Sequence, residues 1–134
     1  MMTYALDTNI ISFLLKESPA VVSNVRDALS SQNKLVIPPI VYYEVRRGLL
    51  SKDTPVLTPS FNRFCQKVPI VQIKQDTLEV AAKIYATLKK AGQLIDDADI
   101  LIAASCLVHD YTLVTDNTRH FNRVEGLKIV NWAE

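Results

Sequence analysis

Carboxylates fall at four places in this chain of 134 residues where a fold could gather them. Asp7 ends the apolar stretch Tyr4-Ala5-Leu6 and precedes Thr8-Asn9. Asp116 likewise ends Leu113-Val114-Thr115 and precedes Asn117-Thr118. Glu44 falls in a helical stretch after a short apolar segment, and Asp96, Asp97 and Asp99 open the apolar run Ile100–Val108. Asp96 and Asp99 are three apart and share a helix face, while Asp97 points elsewhere. An acid at a helix start is ordinarily a cap that also favours the helix dipole, and that reading stands open for Asp7, Asp96 and Asp97. Asp99 runs straight into apolar residues and is expected to point into protein. A buried carboxylate needs a partner that offsets its lost hydration. A divalent cation is such a partner, and clustered carboxylate oxygens suit Mg²⁺ or Mn²⁺ rather than Zn²⁺.

Acids with such a cation fit phosphodiester hydrolysis. The cation lowers the pKa of a bound water and neutralises charge on the phosphate, and a nearby carboxylate orients that water or takes its proton. Competing chemistries lack their residues. His109 and His120 are the two histidines, too few for a histidine-rich zinc site, and His109 suits a helix C-terminus. No G-x-S-x-G, Walker loop or G-x-G-x-x-G occurs. Cys65 and Cys106 have no C-x-x-C spacing and read as free thiols or small core residues, as in a reducing compartment. Arg46, Arg47, Arg119 and Arg123 are candidates for phosphate contact, with a solvated face or a surface ion pair as the alternative.

Elements that must position these groups follow from pattern. Apolar content of 49% and charged content of 22% exclude a disordered chain, and the length implies a single domain, 1–134. A net charge of +1 neither demands nor excludes nucleic acid. No apolar run approaches a membrane span, and Met1-Met2-Thr3-Tyr4 is not a signal-peptide start, so a cytoplasmic protein is expected. Strands are predicted at Tyr4–Leu6, Leu35–Ile37, Val68–Ile73, Thr112–Thr115 and Leu127–Val130. Thr8 or Asn9 caps a helix over Ile10–Leu15, and Pro19 opens the next. A third helix, Ile40–Leu50, carries the stripe Val41, Val45, Leu49, and puts Gly48 one turn from Glu44. Ser51–Ser60 reads as a loop. A helix over Asp76–Ala91 has Asp76 as cap, a stripe of Leu78, Ala81, Ala82, Tyr85 and Leu88, and Gly92 as its stop. The run after Asp99 is apolar all round, so that helix is expected to be central. Alternation of strand and helix predicts a three-layer α/β sandwich around a mostly parallel sheet of about five strands.

Several motifs resemble one family. Leu6-Asp7-Thr8-Asn9, Tyr43-Glu44-Val45-Arg46-Arg47-Gly48, Asp99-Ile100-Leu101-Ile102-Ala103-Ala104 and Leu113-Val114-Thr115-Asp116-Asn117-Thr118-Arg119-His120-Phe121 are similar to the PIN-domain motifs. With the ending from Phe121 to Trp132, they resemble the VapC toxins of bacterial VapBC toxin–antitoxin pairs more narrowly. Each motif alone is weak, whereas four in order across Leu6–Trp132 are specific. The resemblance implies a Mg²⁺- or Mn²⁺-dependent endoribonuclease with a PIN fold, acting on tRNA or sometimes ribosomal RNA. It implies a homodimer, for which Ile11, Phe13 and Leu14 offer one face, although core packing explains the same residues equally well, and a VapB-like antitoxin through which alone DNA is bound. It makes Asp7 and Asp99 the metal ligands and Glu44 the third acid, with Asp116 as a fourth. The family's fourth acid falls two residues after the threonine of the last motif. Here that position is Asn117, the acid comes one earlier, and a frequent glutamate before Phe121 is replaced by His120. A second reading therefore keeps the fold without catalysis, as an RNA- or partner-binding module; a third makes the chain a metal-dependent phosphatase or DNA nuclease.

Overall fold

The structure is a computed structural model and describes residues 1–52 and 56–134. Among these, the strands β1 (Thr3–Leu6), β2 (Lys34–Val36), β3 (Thr112–Val114) and β4 (Lys128–Val130) form one parallel sheet in the order β2-β1-β3-β4. Helices α1 (Thr8–Leu15), α2 (Pro19–Ser30), α3 (Pro39–Ser51), α4 (Leu57–Lys67), α5 (Gln75–Lys90), α6 (Asp97–His109) and α7 (Thr118–Phe121) connect and cover it. Consecutive residues Ala5-Leu6, Leu35-Val36 and Leu113-Val114 are all buried. Since successive side chains point to opposite faces, the sheet is covered on both, as parallel sheets require.

The sheet grows from β1 in both directions, with β2 on one side and β3 on the other. Chains leaving β1 and β3 therefore diverge at their carboxyl ends and open a crevice there. Leu6 pairs with Val114, and the Asp7 amide donates to the Val114 carbonyl at 2.9 Å. Asp7 and Thr115, each one residue past its strand, are thus brought side by side. The expected central helix is α6, with Ile100 and Ile102–Cys106 buried. Pro19 opens a helix as read, and Pro39, one residue before the expected start at Ile40, opens α3 in the same way, where no N–H is needed. Cys65 and Cys106 are both free.

Several local expectations are corrected. No strand forms at Val68–Ile73; Ile37 and Ile70 make only an isolated parallel bridge, through Ile37 N–H to the Pro69 carbonyl and Val71 N–H to the Ile37 carbonyl. Pro69 has no N–H to extend that ladder. The loop expected over Ser51–Ser60 is shorter, because α3 includes Ser51 and α4 starts at Leu57 with Pro59 in its first turn; Pro55 lies outside the described residues. Along α5 the buried stripe is Thr77, Ala81, Ile84 and Leu88, while Leu78 and Tyr85 are 52% and 41% exposed. The helix carries two apolar stripes side by side, and packing on α6 selects the one containing Ile84. Tyr85 stays at the edge under the Lys89 ammonium, 5.8 Å from its ring centre. Lys74, not Asp76, is the N-cap of α5. Ile11 is wholly buried, while Phe13 and Leu14 are half-buried and pack against the core.

Candidate active site

Asp7 is the N-cap of α1 and also part of the crevice. Of the caps the sequence offers, Asp7, Thr8 and Asn9, the structure gives the place to Asp7, whose Oδ1 accepts the Thr8 backbone N–H at 2.8 Å. Its Oδ2 accepts the Thr115 hydroxyl at 2.7 Å, and the Thr115 Oγ1 in turn accepts the Asn117 N–H at 2.9 Å. Asp7 is 6% exposed. Burial pushes its carboxyl up to about 6; the bonds from Thr115 and Thr8 oppose that rise, and the charges of Asp99 and Glu44 add to it.

Glu44 stands in the second turn of α3, opposite the start of α1. Its Oε1 accepts the Thr8 hydroxyl at 2.8 Å, and Arg47 lies 3.7 Å from Oε2. Asp99, in the first turn of α6, has His120 Nδ1 3.5 Å from its Oδ2. Burial raises the Asp99 carboxyl, the His120 contact opposes this, and Asp96 and Glu44 raise it further. Asp7, Glu44, Asp96 and Asp99 line one cleft of about 220 Å³ together with Thr8, Asn9, Asn117 and His120. Residues 7, 44 and 99, far apart in the chain, thus meet.

Other predicted residues are placed elsewhere. Asp116 does not line the cleft; its Oδ1 accepts the Asn9 side-chain amide at 3.2 Å, and Asn117 takes the place beside the acids. Asp97 points away, into a shallow groove with Tyr85 and Leu101. Arg46 is committed to α4: Nη2 donates to Asn62 Oδ1 at 2.8 Å and to the Tyr42 hydroxyl at 3.2 Å, with the guanidinium 4.9 Å from the Phe61 ring centre. Arg123 donates to the backbone carbonyls of Gln93 and Leu94. Arg47, 59% exposed, and Arg119, also exposed, keep surfaces that could meet a phosphate. Sequence reading missed Thr115 and the hydroxyl of Thr8, because a threonine beside an acid signals nothing until the acid's free oxygen is located. It also missed Lys16 and Lys52, which line a second groove between α1 and α3 that shares Thr8, Asn9 and Glu44 with the cleft. Gly48 lines that groove too, with open space where a Cβ would stand.

The donor set fits a hard divalent cation. The carboxylates are acceptor-only oxygen groups of one charge sign; the charges of Asp99 and Glu44 raise the Asp7 carboxyl, and those of Asp96 and Glu44 raise that of Asp99. Among the described residues, no three His, Cys, Asp or Glu side chains converge at ligand distance. Each carboxylate turns instead to its own donor: Asp7 to Thr115 and Thr8, Glu44 to Thr8, and Asp99 to His120.

Comparisons with known proteins bear on the family and the fold. The family model described as PIN domain matches residues 4–127. The chain is 28% identical over 132 residues to "Ribonuclease VapC2" of Rickettsia felis, covering 98% of each. It is 27% identical over 135 residues to "tRNA(fMet)-specific endonuclease VapC" of Shigella flexneri, covering 99% of this chain and 100% of the other. A crystal structure of VapBC2 from Rickettsia felis, bound to a DNA fragment from their promoter, superposes with a TM-score of 0.87 at 27% identity, over 98% of this chain and 99% of that one.

Proposed function

The chain belongs to the PIN-domain family, and from that premise we propose that it is a VapC-type toxin, a divalent-metal-dependent endoribonuclease of a type II toxin–antitoxin pair. The observation that carries this reading is the meeting of Asp7, Glu44 and Asp99 in one cleft at the carboxyl ends of β1 and β3. Similarity to the ribonucleases of Rickettsia felis and Shigella flexneri supports RNA as the substrate, and the name of the latter favours tRNA. A VapB-like antitoxin is the partner, by similarity to the Rickettsia felis complex, and DNA is met only through it. We also assign the chain a single domain, a cytoplasmic location and a homodimeric state. The described residues contain no helix long and apolar enough to cross a membrane.

Asp7 and Asp99 would hold Mg²⁺ or Mn²⁺. When bound, the cation supplies charge neutralisation at the scissile phosphate and acidifies a water. The protein's own contribution is placement. Thr115 and the Thr8 amide fix both oxygens of Asp7, so its carboxylate enters the cleft in one orientation. Thr8 holds one oxygen of Glu44, leaving the other, only loosely neighboured by Arg47, to orient the attacking water and take its proton. Asn117, a neutral group at the cleft, offers hydrogen bonds to the phosphate or its water without adding charge. Arg47 and Arg119 outside the cleft, and Lys16 and Lys52 in the adjoining groove, are the cations available to the RNA backbone. Asp116 acts indirectly, by holding Asn9.

Purified protein should cleave a tRNA pool with Mg²⁺ and stop on chelation. Asp7→Asn and Asp99→Asn should each lower the rate about 100-fold or more while both variants stay folded. Unchanged cleavage in both variants would remove the assignment. The displacement of Asp116 from the cleft favours one alternative, a binding module without catalysis. That alternative predicts RNA binding with no cleavage and no Mg²⁺ or Mn²⁺ uptake that depends on Asp7.

A further inference from the structure

The groove beside the cleft is built from one stripe of each of two helices. Thr8, Ser12 and Lys16 recur at four-residue spacing along α1 and its C-cap, and all three line the groove. Glu44, Gly48 and Lys52 do the same along α3 and its C-cap. The hydrogen bond from Thr8 to Glu44 sets the two stripes level at the cleft. Each stripe then runs from a cleft group, through a residue with little or no side chain, to a lysine. The lysines stand two such steps, or about 12 Å of helix, beyond Thr8 and Glu44. Between them Ser12 and Gly48 leave the passage open, and a Cβ at position 48 would meet no atom within 4 Å. Leu15, Val45 and Leu57 add apolar lining. A lysine at a helix C-terminus also offsets that helix's dipole, which accounts for each lysine singly. Yet both line one groove, and among the described residues no ion pair joins either to an acid. Like charges gathered without an acid between them favour an anion there.

Resting on the ribonuclease reading, we infer that this groove is a substrate subsite, which leads the RNA strand away from the scissile phosphate. Lys16 and Lys52 hold a phosphate about two nucleotides along, and Gly48 keeps the passage open. The apolar lining takes the face of an intervening base out of water. A protein segment would meet the same apolar residues. Continuity with the acidic cleft at one end and unpaired lysines at the other favour a polyanion that reaches both.

The test reads RNA binding apart from cleavage. Protein kept in chelator is titrated onto a short fluorescent single-stranded RNA at several salt concentrations, and anisotropy is followed. Lys16→Ala and Lys52→Ala should each weaken binding about three- to tenfold and flatten its dependence on log salt by about 0.7. Lys52→Arg should keep the wild-type slope. Gly48→Gln introduces a better helix former, and should weaken binding about tenfold at an unchanged slope, because it obstructs the groove and removes no phosphate contact. Trp132 fluorescence melts establish that each variant folds. Wild-type affinity and slope in both alanine variants, or wild-type affinity in folded Gly48→Gln, overturn the assignment; the lysines then serve only their helix dipoles, and the groove is left to a protein partner. Absence of Mg²⁺-dependent cleavage of a tRNA pool by the same wild-type preparation overturns the ribonuclease reading itself, whatever these affinities are.

Discussion

Asp7 accepts a hydrogen bond at each oxygen, and both bonds favour its ionised form, yet burial outweighs them and its carboxyl rises from 3.8 to about 6. The sign of the consequence follows. Between about pH 4 and pH 6 the folded protein holds a proton on Asp7 that the unfolded chain has released. Stability then falls as pH rises through that window, by on the order of 2–3 kcal/mol at most. Asp99 is raised too and acts in the same direction. In metal-free protein, urea unfolding from pH 4 to pH 7 should show this decline, and Asp7→Asn should flatten it. A divalent cation favours the ionised carboxylates, so saturating Mg²⁺ should raise the melting temperature more at pH 7 than at pH 5. A slope that is identical in Asp7→Asn would show that burial of this carboxyl is not its source.

At the scale of elements, α3 holds two arginines of unlike use. Arg46 clamps α3 to α4 through Asn62, Tyr42 and the face of Phe61. Arg46→Ala should therefore cost about 1–2 kcal/mol of stability in denaturant melts while RNA affinity, scored on folded protein, stays within about twofold. Arg47 and Arg119 behave oppositely, being exposed near the cleft. Arg119→Ala should weaken RNA binding and flatten its dependence on log salt by about 0.7, the share of one single-strand phosphate, with little change in stability. An Arg46 variant that loses RNA while keeping its melting point would reverse these roles. The early part of α1 has a structural use of its own: Ile10 and Ile11 are wholly buried, which anchors the helix whose first turn carries Thr8 and Asn9 into the cleft.

For the whole molecule, the chain's end is tied to its beginning. Trp132, the single tryptophan, is buried with its ring centre 4.9 Å from that of Tyr4 on β1, and its carbonyl accepts the Asn24 side chain of α2. Its fluorescence thus reports contacts among β1, α2 and the C-terminus, while far-ultraviolet circular dichroism reports the helices. One domain predicts coincident transitions for the two probes in urea. A tryptophan signal lost well before the helical signal would mean that the C-terminal segment opens as a separate unit.

Much of this was legible in the residues themselves. Strand and helix alternation gave the layered α/β class, the all-round apolar run after Asp99 marked the central α6, and acids at strand ends and helix starts marked the cleft. Those signals are local: a period, a cap-prone residue, a proline without an N–H. Other features depended on what each segment meets in space. Val68–Ile73 has strand-like residues but finds only the Ile37 edge to pair with. The apolar residues of α5 allow two faces, and contact with α6 selects one. Asp116 and Asn117 are adjacent in the chain, yet the exit from β3 sends only Asn117 into the cleft. Residue types and their local pattern specify which chemical groups are available and most of the strands and helices that carry them. Tertiary structure alone decided which groups meet, because the parallel pairing of β1 with β3 brings Asp7 beside Thr115, 108 positions away, and only that register joins their side chains.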